Sequence, residues 1–171
     1  MNKTTDKKQI SQGAMANKTG KIFEKMMIPV FEDNAFLVLT ENKYLKNQEK
    51  YSTYNRIVLK NAKYTNIYGT TGQTEFVLID GDRRIRIEAK YQSVPGSVDE
   101  KYPNMFLNAI EAYPEDEVIF VVDGGGYRPG AREWIQTAID TDFHGYKSKY
   151  HKTFKLMTIS EFMNWINHEF G

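Results

Sequence analysis

The chain of 171 residues contains no cysteine. That removes disulfide staples, thiolate metal sites and cysteine nucleophiles, and it makes a reducing, cytoplasmic setting the expectation. Histidine is almost as scarce. His144, His151 and His168 are the whole supply, and none stands at the spacing of a metal-binding pair. Any metal must then be held mainly by carboxylates, which selects a hard ion, Mg²⁺ or Mn²⁺, over Zn²⁺. No apolar run approaches the roughly 18 residues of a membrane span. The polar N-terminus also lacks the apolar core of a secretory signal.

Length and composition fit one domain with its own core. The net charge of +1 hides an asymmetry: residues 1–63 carry twelve Lys/Arg against six Asp/Glu, so the remainder is acidic. The basic part is a candidate phosphate-binding face. Residues 1–17 are polar and unpatterned, which predicts a mobile basic arm ahead of a domain over 18–171. From Thr19, a potential cap, apolar residues Ile22, Phe23, Met26, Met27 and Val30 recur at helical spacing, and Pro29 suggests a kink or an early end. Short strands are expected at 35–39, 56–59 and 154–157. A continuous apolar run, Val118–Val122, reads as a strand buried on both faces. Helical spacing returns around Phe106, around Trp134 and after Ser160. The order predicts an α/β fold with a mixed β-sheet flanked by helices.

The stretch from Glu75 to Tyr91 carries the chemistry. Two β-rich runs flank Asp80-Gly81-Asp82, a hairpin signal. Strand alternation puts Ile85, Ile87 and Ala89 on one face and Arg84, Arg86, Glu88, Lys90 and Gln92 on the other. Either two-residue turn leaves Glu75 on the face of Glu88 and sends Asp80 to the opposite one. A three-residue turn or bulge would reverse this, so both acids stay open as the second acidic ligand. Like charges side by side on a sheet destabilise it unless a cation lies between them.

An acidic residue on one strand and Glu-x-Lys on its antiparallel neighbour resembles the PD-(D/E)xK nuclease superfamily, which includes restriction endonucleases and Holliday-junction resolvases. Gly20-Lys21-Ile22-Phe23-Glu24 is similar to the Gly-x-x-Phe-Glu run by which many members supply a further carboxylate, here Glu24. Gln92 matches a Glu-x-Lys-x-Gln variant. The resemblance runs from about Gly20 to Trp134. It departs at Glu75, where the family usually has Asp preceded by Pro and this chain has Glu preceded by Thr74. It implies a restriction endonuclease-like αβββαβ core and a Mg²⁺-dependent DNA endonuclease. Glu24, Glu75 and Glu88 would hold metal and Lys90 would assist the attacking water. It also implies a homodimer if both strands are cut. A divalent ion there would polarise the scissile phosphate. The alternative is a DNA-binding protein that kept the fold and lost turnover.

Other features are weaker. Ser97 is a possible helix cap and Lys101 a possible phosphate contact. Asp123-Gly124-Gly125-Gly126-Tyr127-Arg128 follows a buried strand, but no Lys-Ser/Thr completes a nucleotide-binding loop. Arg128, or Arg132, is the better prospect there as a DNA-phosphate contact. Lys43, Lys46, Lys50, Lys60 and Lys63, interleaved with tyrosines 44, 51, 54, 64 and 68, are expected to track a nucleic-acid backbone; the roles of the rings stay open.

Overall fold

The computed structural model describes residues 12–96 and 99–171, with side chains from residue 21 onward within those spans. The proposed arm falls mostly on residues 1–11, and the Ser97 cap on 97, all outside the described residues. Helix α1 spans Gln12–Asp33, starting seven residues before Thr19. Ala14-Met15-Ala16 are strong helix formers, which carries the helix back into that stretch. Pro29 sits inside α1 without ending it.

Strand β1 (Leu37–Thr40) is followed by two short helices, α2 (Glu41–Lys46) and α3 (Gln48–Tyr51). These occupy the tyrosine-rich connection. Strands β2 (Arg56–Thr65), β3 (Thr71–Asp80) and β4 (Arg83–Tyr91) form a meander, and α4 (Tyr102–Glu111) leads to β5 (Glu117–Asp123). Then α5 (Ala131–Asp140), β6 (Thr153–Met157) and α6 (Ile159–Phe170) close the chain. One six-stranded sheet runs in the order β1-β2-β3-β4-β5-β6. The β2–β3 and β3–β4 pairs are antiparallel and the other three are parallel, so the sheet is mixed as expected. Among the described residues, no helix is long and apolar enough to cross a membrane.

Alternation along the strands decides where the layers go. On one face, Val58, Phe76, Leu78, Ile85, Ile87, Ile119 and Val121 pack beneath α1 and α6 in a single apolar cluster. The other face is divided. Ile57, Leu59, Val77 and Ile79 lie with Tyr44 and Tyr51 of α2 and α3. Val118, Phe120 and Val122 lie with Phe106 of α4 and Ile135 of α5. Between these two clusters runs β4, whose residues on this face, Arg84, Arg86, Glu88 and Lys90, are all charged. A polar strip thus crosses the middle of an otherwise apolar face.

Candidate active site

The hairpin turn is Gly81-Asp82, with Asp80 paired to Arg83, and the register continues to Phe76 opposite Ile87. Phe76–Ile87 is the last pair before the two strands part. In the opening, the Glu75 side chain reaches across and accepts the Ala89 N–H at 2.7 Å. This parity puts Glu75 on the polar face. Asp80 stays at the turn end, pairing with Arg56 at 3.2 Å. The geometry therefore favours Glu75 over Asp80 as the second acid of the cluster.

Glu88 is buried, at 6% exposure. Its Oε1 accepts from the Lys90 ammonium, and its Oε2 accepts from the Tyr113 hydroxyl at 2.9 Å. Lys90 Nζ also donates to the Ala89 carbonyl at 3.1 Å. Glu75, Glu88 and Lys90 thus share one place, where the strands separate. Burial pushes the Glu75 carboxyl up to about 7, against the pull of Lys90 and with the Glu88 charge adding to the rise. For Lys90, burial opposes the charge, yet Glu88 and Glu75 together hold the ammonium above its ordinary value. Burial and the Glu88 charge raise the Tyr113 phenol well above its ordinary value, so it remains a proton donor to Glu88.

Four residues that the sequence reading did not assign to the site support this cluster. The Tyr113 ring meets the Tyr64 ring edge-on, centroids 4.6 Å apart. The Arg86 guanidinium lies 5.1 Å from the first ring and 5.5 Å from the second. Arg86 is 1% exposed and pairs with buried Glu115 through contacts of 2.5 and 3.2 Å. It also donates to the Ala62 carbonyl at 3.2 Å and to Thr74 Oγ1 at 2.9 Å. The usable signal was parity: Arg86 shares the face of Glu88 on a strand whose opposite face is apolar. Tyr113 and Glu115 follow α4 in a connection without a pattern, so nothing local marked them.

The remaining predicted residues are scattered. Glu24 is held by Lys60 at 2.5 Å. Lys60 pairs with Phe76 in the register, so this contact lies on the α1 side of the sheet, away from the polar strip. Among the described residues no three acidic or histidine side chains gather around a common point. Of the expected trio of carboxylates, Glu75 and Glu88 lie together, while Glu24 lies apart and pairs with Lys60. Gln92 is buried; its Nε2 donates to the Gly126 carbonyl at 3.0 Å, and its Oε1 has no partner among the described residues. Lys101 is exposed at the start of α4. Lys43, Lys46 and Lys50 are exposed on α2 and α3, and Lys63 is exposed with its ammonium 3.3 Å from Asn42. Arg128 pairs with Glu100 at 2.8 Å. Two glycines of the run are packing positions: a Cβ on Gly126 would lie 2.4 Å from the Val94 nitrogen, and one on Gly124 2.4 Å from the Gln92 carbonyl oxygen.

The donor chemistry suits a divalent cation. Lys90 already serves as a cation bound by carboxylate and carbonyl oxygens, all hard donors. Two carboxylates and a carbonyl leave half of an octahedral shell to water and phosphate, as Mg²⁺ tolerates.

No curated protein and no solved structure matches the chain. A family model described as "PD-(D/E)XK nuclease superfamily domain" matches residues 15–170. That span takes in Glu75, Glu88 and Lys90 as well as the α1, β2–β4, α4, β5 core, and with it the chain belongs to the PD-(D/E)XK nuclease superfamily.

Proposed function

We propose that the protein is a Mg²⁺- or Mn²⁺-dependent DNA endonuclease whose site is Glu75, Glu88 and Lys90. The observation that supports this most is the convergence of two carboxylates and one ammonium on the polar face at the point where β3 and β4 part. Glu75 and Glu88 would hold the ion, with the Ala89 carbonyl assisting, and the ion would supply charge relief at the scissile phosphate. Lys90, raised and therefore charged, would orient the attacking water or balance developing negative charge. Glu24, paired with Lys60 on the α1 side of the sheet, would stay outside this metal set. Lys101 and the basic residues of α2 and α3 would contact the nucleic-acid backbone together with Lys63, since Lys43, Lys46, Lys50, Lys63 and Lys101 are all exposed.

The test is incubation of supercoiled plasmid and of a four-way junction with Mg²⁺ or Mn²⁺. Cutting by wild type and its loss in Lys90→Ala and Glu88→Gln would support the reading. Equal cutting by all three would end it. One observation favours a second reading, a DNA-binding protein without turnover: both oxygens of Glu88 are engaged by Lys90 and Tyr113. That reading predicts salt-dependent DNA binding and no carboxylate-dependent heat on titration with Mn²⁺.

A further inference from the structure

The tip of the β2–β3 hairpin presents Tyr68, 74% exposed, the most exposed of the large apolar and aromatic side chains described. A lone exposed ring is ordinary and by itself says nothing. Here an extensive framework of hydrogen bonds fixes it. Asn66 Oδ1 accepts from the backbone N–H of Tyr68 and of Thr70, each at 3.0 Å, while Asn66 Nδ2 donates to Thr70 Oγ1 at 2.8 Å. Gly69, at φ +78°, makes the turn that this arrangement requires. The tip is then tied to α4. Buried Asn108 accepts the Ile67 N–H at 3.0 Å, and Asn104 Nδ2 donates to the Tyr68 hydroxyl at 3.1 Å. Three asparagines thus hold one ring in the open, its ordering cost already met before any ligand arrives.

The position of the tip relates it to the site. Four residues back along the same chain, Tyr64 packs on Tyr113, whose hydroxyl binds Glu88. Four residues of chain reach at most about 14 Å. At about 3.4 Å per nucleotide along one strand, that is about four nucleotides or fewer from Tyr64.

We propose that Tyr68 is a stacking platform for an unpaired base lying a few nucleotides from the scissile phosphate. The substrate class is therefore DNA with a single-stranded extension or gap next to the cut, because base faces inside a continuous duplex are covered by their neighbours. This rests on the nuclease reading above. Every base offers a face to such a ring, so the contact selects strandedness and not sequence.

The experiment measures binding of the full chain, by fluorescence anisotropy, to a continuous duplex and to the same duplex with a single-stranded extension carrying 2-aminopurine. Tyr68→Ala is expected to weaken binding to the extended DNA by roughly 5- to 150-fold. Its affinity for the continuous duplex and its melting temperature should stay within error of wild type. Tyr68→Phe keeps the ring but loses the Asn104 bond, so it should retain most of the affinity and the quenching of 2-aminopurine, which Tyr68→Ala should lose. Equal affinity of wild type and Tyr68→Ala for the extended DNA overturns the stacking assignment and leaves the nuclease reading intact. Failure of wild type to bind either DNA overturns the nuclease reading and this assignment with it.

Discussion

Replacing Arg86 by Met should be among the most damaging single substitutions in this fold, and the reason is charge rather than volume. Arg86 and Glu115 are 1% and 7% exposed and pair at 2.5 Å. Met fills much of the space of the arginine stem but leaves the Glu115 carboxylate buried without its partner. Breaking a buried pair from one side costs about 3–5 kcal/mol. The lower end applies if Lys152 compensates, since its ammonium donates to the Glu115 backbone oxygen at 2.9 Å and feels the Glu115 charge. For a domain of this size, 3–5 kcal/mol corresponds to a fall in melting temperature of about 6–20 °C. Urea denaturation at unchanged m-value gives the stability difference directly. One control separates charge from packing. In the double variant Arg86→Met, Glu115→Leu most of the loss should be recovered. A cost of under about 1 kcal/mol, or a double variant as unstable as the single, would refute the reasoning.

Three further outcomes follow from the same geometry. Tyr113→Phe removes one hydrogen bond to Glu88 and nothing else of the ring, so Mn²⁺ affinity by calorimetry and plasmid cleavage should each fall by about 10- to 100-fold, as for other outer partners of a ligand. Glu75 prefers its neutral form when folded, so without metal its folded state holds more protons than the unfolded chain between the ordinary carboxyl value and about 7. Stability in a chelator should therefore fall as pH rises through that window and level off above it. Glu75→Gln should abolish that slope and gain about 1–2 kcal/mol at pH 8, less than the full shift because the group is partly solvated. Gly126→Ala sets a Cβ against backbone atoms of Gln92, Ser93 and Val94 that cannot swing away. A loss of about 2 kcal/mol or more is expected in chemical denaturation, with weaker binding of Mn²⁺ if the β4 end shifts.

Much of this architecture was legible from period alone. Alternation in 83–91 identified both the apolar and the polar face of β4, and a two-residue turn was enough to bring Glu75 to Glu88. The turn itself had to be seen before Asp80 could be set aside. Glu24 illustrates the limit. Its sequence context resembles a metal-binding run, but whether a helix residue reaches a sheet site depends on which cation it meets first, and Lys60 is that cation. Tyr113 and Glu115 could not be found from spacing, because they lie in a connection and act only through contacts with residues 25 and 29 positions away. The early start of α1 was missed because caps mark helix ends only when the flanking propensity is low, and Ala14 and Ala16 extend it.

The charged strip on β4 costs the protein apolar burial in the centre of a sheet, and the arrangement of its charges explains how the fold tolerates it. At the turn-proximal end, Arg86 is matched by Glu115 and by carbonyl and hydroxyl acceptors, so that part of the strip is electrostatically closed. At the opposite end, two carboxylates face a single ammonium, and burial and Glu88 lift Glu75 to about 7. Near neutral pH the closed end gains nothing from a further cation, whereas the open end would shed a like-charge repulsion. A divalent ion should accordingly stabilise the wild-type fold at pH 8 by an amount that grows with concentration, following mass action. Arg86 should matter to that increment only indirectly, through the Tyr113 bond that presents Glu88, so Glu75→Gln should remove most of the Mn²⁺-induced rise in melting temperature while Glu24→Gln removes little. A rise that survives Glu75→Gln but disappears in Glu24→Gln would place the cation on the α1 side of the sheet and overturn the assignment of the open end as the metal site.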